Sequence, residues 1–229
     1  MTALTNKRRE AHPVVRRRRG QRGSEIMEFA LLSVLLVPTF LWMFITGMNL
    51  IRSVKATHLA ADLGRLYING TDFSKWDAQK LAQRLATGLG LDVGASDPGQ
   101  MWNNGGNGGR GVVILSQVTF VGTPTCAPIV AGGNTCTNQD RYVFTQRIVF
   151  GKASLRQSNF GTPTAAITSR GLISAYATDP GARTQAFQAL FPTSLQDGQF
   201  AYVAEVFFES PDLNVSALSG SGVYARAIL

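Results

Sequence analysis

The chain has 229 residues, 45% of them hydrophobic and 16% charged, with 22 Lys plus Arg against 14 Asp plus Glu. That composition excludes a disordered tail and a small disulfide scaffold. The net charge of +8 is concentrated: eight of the basic residues (Lys7, Arg8, Arg9, Arg16, Arg17, Arg18, Arg19 and Arg22) and one acid, Glu10, fall in residues 1–23, leaving 14 basic and 13 acidic groups elsewhere. A nucleic-acid-binding surface spread over the protein is therefore not expected.

After this arm, Ser24 to Ile51 carries only two charges, Glu25 and Glu28, and the 23 residues from Phe29 to Ile51 carry none. As a helix they would extend about 35 Å, enough to cross a hydrocarbon core of about 30 Å with some tilt. Pro38 is compatible with a membrane helix, in which it introduces a kink. The excess of Lys and Arg in front of the span, against Arg52 and Lys55 behind it, predicts a cytoplasmic N-terminus and an outer C-terminal portion. A secretory signal is the competing reading. Against it stand the length of the apolar stretch, the lack of a small-residue cleavage site, and helical spacing that continues through Ile51, Val54, Leu59, Leu63 and Leu66. The arginines of the arm also lack the apolar continuation of a twin-arginine signal.

Beyond the span the spacing predicts a helical extension over 52–70 and an outer α+β domain over 71–229. A second helix is expected with Ser74 as its cap, Asp77 three residues on, and Leu81, Leu85 and Leu89 along one face. The run from Asn103 to Gly111 reads as a loop and lacks the Gly-Lys-Ser/Thr ending of a phosphate cradle. Four strands follow: Val112–Val121, Arg141–Phe150, Phe200–Phe208 and Val223–Leu229. Apolar groups on both faces of the second suggest a sheet covered on one side by the long helix. A further short helix is expected within Gly171–Leu190, interrupted by Pro180-Gly181. Cys126 and Cys136 lie in a Thr, Pro, Gly and Asn-rich stretch and would close a small loop in an oxidising compartment, two free thiols being the alternative.

Little in the chain suggests catalysis. His12 lies in the arm and His58 just beyond the span, Cys126 and Cys136 do not have a zinc spacing, and no nucleophile elbow is present. Glu205 and Glu209 share a strand face, which reads as a solvated face rather than an acid/base pair. No enzyme activity, metal or cofactor is expected.

The order of residues from Arg22 to Leu31, Arg-Gly-Ser-Glu-Ile-Met-Glu-Phe-Ala-Leu, resembles a type IV prepilin signal. More narrowly, Glu-Phe-Ala-Leu, the stretch Ala60 to Tyr67 and the ending Gly222 to Leu229 resemble TadE-like pseudopilins of tight-adherence pilus systems. The resemblance covers about a quarter of the chain. It implies a prepilin peptidase cutting between Gly23 and Ser24, with Glu28 as the fifth mature residue and Glu28 and Phe29 as recognition and assembly positions. It also implies a pilin-like plan, in which an extended membrane helix packs on an antiparallel sheet. Partners would be the peptidase, an inner-membrane assembly platform with its ATPase acting indirectly, and other pilin subunits. The protein would sit in the cytoplasmic (inner) membrane with its outer domain in the periplasm or at the cell surface. Pro38 falls about one turn later than the resemblance implies, and the leader is long and arginine-rich. The alternative is a single-pass anchored envelope protein with an outer binding domain, uncut, whose arm binds anionic headgroups and sets topology.

Overall fold

The computed structural model describes residues 22–94, 109–185, 187–190, 195–210 and 222–229. The arm before Arg22, with His12, and most of the glycine-rich run at 103–108 lie outside them. The chain divides into two compact units, residues 1–46 and 47–229.

The described part of the first unit is the beginning of helix α1 (Arg22–Ile68). Its apolar side chains, Phe29, Leu31, Leu35, Phe40, Trp42 and Phe44 among them, are exposed. The hydroxyls in the stretch turn inward: Ser33 Oγ donates to the Ala30 carbonyl at 2.8 Å, Thr39 Oγ1 to that of Leu35 at 2.9 Å and Thr46 Oγ1 to that of Trp42 at 2.8 Å. A hydroxyl bonded to its own helix asks nothing of its surroundings, which suits hydrocarbon. Among the described residues α1 is the one helix long and apolar enough to cross a membrane.

In the second unit the helix changes character. Ala56, Leu59, Ala60, Leu63 and Tyr67 recur at helical spacing and are buried, whereas Ile51 and Val54 stay exposed. The stripe packs on one face of a four-stranded antiparallel sheet, β1 (Gly111–Val121), β2 (Arg141–Gly151), β3 (Phe200–Glu209) and β4 (Gly222–Ile228), in the order β2-β1-β3-β4. Val113, Leu115, Ile148, Phe150, Ala204 and Val206 meet it, with Phe73 stacked on Phe150 at a centroid distance of 6.0 Å. The β-branched and aromatic runs that mark the strands in sequence coincide with them to within about a residue, as expected where strand propensity and burial agree.

Helix α2 (Trp76–Leu85) departs from expectation. Lys75 occupies the cap position without a side-chain bond, while Ser74 is held by the Asp72 carboxylate, which takes up the hydroxyl that would have capped α2. The buried side of α2 is Gln79 and Ala82, followed by Ala86, and Gln79 Nε2 donates to the Phe73 carbonyl at 2.9 Å. Leu81 and Leu85 face outward, and Leu89 alone of the three expected leucines is buried.

The second face of the sheet is covered by connecting segments. Helix α3 (Thr123–Ala131), a turn at Ala153–Leu155, another at Pro180–Ala182 and the short α4 (Phe187–Leu190) pack a core of Val118, Val143, Phe144, Phe160, Ile173 and Phe187. The expected helix within Gly171–Leu190 is thus only two short turns. At a bulge between Gln117 and Val118 the ladder skips Thr145 of β2, so Phe144 and Gln146, two residues apart, pair with neighbouring residues of β1 and face opposite sides of the sheet. The outer edge of β2 is bonded by later chain: Arg147 N–H donates to the Gly171 carbonyl at 2.7 Å, Ile173 N–H to that of Thr145 at 2.9 Å and Thr184 N–H to that of Tyr142 at 3.0 Å. Gly171 has φ of 76°, and a Cβ there would meet the Arg147 carbonyl at 2.6 Å, so no other residue fits this edge cover.

Leu63→Ala should cost about 2–5 kcal/mol through its buried cavity, whereas Leu81→Ala on the outer side of α2 should change stability by under about 0.5 kcal/mol. Denaturant unfolding of the two variants in detergent checks the assignment, and equal losses would contradict it.

Candidate functional site

Two regions of the chain concentrate chemistry. One is the start of α1. Gly23 and Ser24 lie in its first turn, and five residues into the segment beginning at Ser24 comes Glu28, exposed, followed by exposed Phe29. Glu28 is the last charge before Arg52 on a stretch otherwise exposed and apolar. A carboxylate in this position lies near the positive end of the helix dipole, which lowers its cost at the margin of a bilayer.

The other is a polar cluster under the covering segments of the second sheet face. Glu205, in the middle of β3, is 1% exposed. The expected solvated face is therefore wrong for this residue: β3 turns it toward the strap that follows β2 (residues 152–185), and the strap and β4 supply its partners. Glu205 Oε1 accepts the Asn159 N–H at 3.0 Å and the Tyr224 hydroxyl at 2.6 Å, and Oε2 accepts the Ser158 hydroxyl. These bonds tie β3, β4 and the strap together around one carboxylate. Its role is that of a fastener, since donors from the strap and from β4 engage both oxygens and fill three of the roughly four acceptor sites of the carboxylate.

Beside it lies Arg147 on β2, 3% exposed. Its Nη1 donates to Ser116 Oγ at 2.7 Å, and its guanidinium carbon stands 5.4 Å from the Phe144 ring centroid. Burial pushes the group down to about 10, against the opposing pull of the Glu205 carboxylate and Tyr67. Arg156, on the strap, lies over the Tyr224 ring at 4.2 Å and near that of Phe207 at 5.5 Å, and its Nη2 donates to Asn159 Oδ1 at 3.2 Å. Sequence reasoning missed Arg147 and Arg156. A lone charge within the apolar run Tyr142–Phe150 was the available signal for the first; the second lies in a segment without periodicity.

Cys126 and Cys136 are joined by a disulfide with Cα atoms 5.5 Å apart, linking α3 to the loop before β2. Asn138 anchors the same loop, with its amide donating to the Tyr176 carbonyl at 2.7 Å and accepting from Arg183 Nε at 2.8 Å. His58 is exposed on α1. Among the described residues no group of three or more His, Cys, Asp or Glu side chains is disposed to hold a metal.

No protein-family model, no curated protein and no solved structure matches the chain.

Burial raises the tyrosines at both sheet faces, Tyr67 and, with the help of its bond to Glu205, Tyr224, above their ordinary 10.0. Each keeps its proton to higher pH in the folded chain than in the unfolded one, so the stability it contributes is fully present below about pH 10 and declines as pH rises further. Arg147, pushed down to about 10 from 12.5, acts in the opposite sense between those values. Two groups against one give a net loss. Urea unfolding should show stability falling from about pH 9 to about pH 11, with a shallower fall in the Tyr67→Phe, Tyr224→Phe double variant. An identical fall in that variant would remove the tyrosines as the cause.

Proposed function

We propose that this protein is a TadE-like minor pilin, cut after Gly23 and taking part in assembly of a tight-adherence type IV pilus used for surface attachment. The observation that carries the reading is Glu28: the last carboxylate, after Glu25, before an exposed apolar helix, the fifth residue from the proposed cut, within a segment that resembles a prepilin signal. An exposed apolar helix whose later turns pack on an antiparallel sheet is also what a pilin-like plan requires.

The chemistry follows from the charges. Hydrolysis of the Gly23–Ser24 bond converts an amide into a carboxylate on the leader and an ammonium on Ser24. The arm departs with its eight basic residues, which removes the charge that held the N-terminus at the cytoplasmic surface. The new ammonium and a carboxylate at Glu28 are each poorly solvated in lipid, and a carboxylate at mid-bilayer costs about 2.5–3.5 kcal/mol on insertion scales. Pairing Ser24 of one subunit with Glu28 of its neighbour neutralises both. Exposed Phe29, Leu31 and Leu35 then pack laterally against other subunits or lipid. In this reading the outer domain faces an oxidising compartment, which suits the Cys126–Cys136 bond.

Intact mass and N-terminal sequencing of the protein taken from its native membrane test the reading. The expected first residue is Ser24, and Gly23→Leu should leave the full-length chain. A start at Met1 or Thr2 would favour the uncut anchored protein; a cut beyond the apolar stretch would identify a signal peptide. Glu28→Ala should still be cut and insert at least as readily, yet lower incorporation into filaments by about tenfold or more, equivalent to one lost charge pair of about 1.4 kcal/mol. Unchanged filament yield in that variant would exclude the charge pairing.

A further inference from the structure

We propose that the cleft between the outer face of β1–β2 and the strap that follows β2 is a binding site for a small carboxylate carrying an apolar body. The cleft measures about 250 Å³ and is walled by Ile114, Val149, Pro163 and Ile167, with Arg147 and Arg156 also lining it. Two guanidiniums entering one apolar cleft from different elements is the first observation. The second is independent of it: Arg147 Nε and Arg156 Nε are both buried and have no hydrogen-bond partner. Buried donors without acceptors are uncommon in folded proteins, and their presence on the two arginines that line one cavity leaves positive charge there undercompensated.

The acceptor does not come from the chain's nearest acid. Glu205 already receives Asn159, Tyr224 and Ser158 on its two oxygens, and among the described residues no carboxylate forms an ion pair with Arg147 or Arg156. Both arginines are otherwise fixed. Ser116 and the Phe144 ring hold the first, and Asn159 with the Tyr224 and Phe207 rings holds the second. Their remaining donors are therefore preorganised, with little ordering left for a ligand to impose. A carboxylate supplies acceptors on two oxygens for two such donors, and its charge offsets a local excess of buried positive charge. The apolar walls set the rest of the ligand: a ring or short alkyl group fills them, whereas a fully hydrated ion such as sulfate would have to shed water against Ile114 and Val149 without replacement. The site does not depend on the pilin reading.

The test uses the full chain in lipid nanodiscs, with 4-fluorobenzoate as probe followed by fluorine NMR and empty nanodiscs as the blank. Saturable binding is expected with a Kd on the order of 1 mM, a level open to a ligand of this size. The neutral isostere 4-fluorobenzamide should bind at least about tenfold more weakly. Arg156→Gln should weaken the benzoate by about tenfold or more, and Ala153→Trp, which fills the cleft from its exposed lining residue, should do the same without touching either guanidinium. Near-UV circular dichroism establishes that each variant is folded. Arg147→Gln is expected to lose binding too, and should it fail to fold, the other two variants decide. Absence of saturation above the blank would mean that water alone serves these donors and would overturn the proposal. So would equal binding of the amide, or full affinity retained in folded Arg156→Gln and Ala153→Trp.

Discussion

The second unit depends on how closely α1 approaches the sheet. Ala56, Ala60 and Gly64 lie four residues apart and form a ridge of minimal side chains, flanked by Leu59, Leu63 and Tyr67. At Gly64 the approach is tightest: a Cβ would meet Leu229 Cδ1 at 2.6 Å and Ala204 Cβ at 3.7 Å. The helix thus brings its backbone near β3 and the last residue of the chain, while the larger side chains on either side fill the grooves. Tyr67 closes the far end with its hydroxyl donating to Gln146 Oε1 at 2.9 Å and its ring edge-on to Tyr202. The residue choice in α1 changes between the two parts of the helix: large apolar groups that are exposed from Ile26 to Ile51, then a small-residue ridge that is buried.

How much of this was readable from residues alone follows from the range of each interaction. Strand positions were legible because β-branched and aromatic residues are concentrated there and burial reinforces the preference. The later half of α1 was legible through Leu59 and Leu63. Helix α2 departs from its hydrophobic spacing because its buried residues are Gln79, Ala82 and Ala86, small groups and an amide bonded to the Phe73 carbonyl, which carry no leucine periodicity. The cover on the second sheet face was not legible at all. It consists of turns and extended chain held by bonds such as Asp197 Oδ1 accepting the Gly122 N–H at 2.6 Å, contacts between residues 75 positions apart with no periodic signature. Glu205 and Arg147 belong to the same class: their partners are spread over the strap and β4, so nothing in their immediate sequence marked them as buried. The apolar helix and the position of Glu28, by contrast, were fully visible, since they rest on composition and short spacing.

The two polar features serve different ends in the molecule. Glu205 receives three local donors and joins three segments, so its value lies in fixing the strap against β3 and β4. Arg147 is anchored yet retains an unmet donor, and Arg156 repeats that condition from the opposite wall. Arg147 also lies close enough to Glu205 for the carboxylate to favour its charged form, so removing either one alone would leave the other a buried charge with less to offset it.

The strand order has a consequence for the time course of folding. β1 lies between β2 and β3, and its cross-strand neighbours on the β3 side are as far as 97 residues away, as in the pairing of Gly111 with Phe208. During synthesis β1 and β2 can form a ladder early, closed by the α3 loop, but the other edge of β1 waits unpaired until β3 emerges, with Val112, Ile114 and Val118 along it. Strand edges of this composition recruit other chains while they wait. The strap, with its bonds to the outer edge of β2, closes one side during that interval and leaves the β1 side open. The slow, distant closure of β1 on β3 sets the period in which the nascent domain is most exposed to aggregation, and in which a holding chaperone would have most to gain by binding.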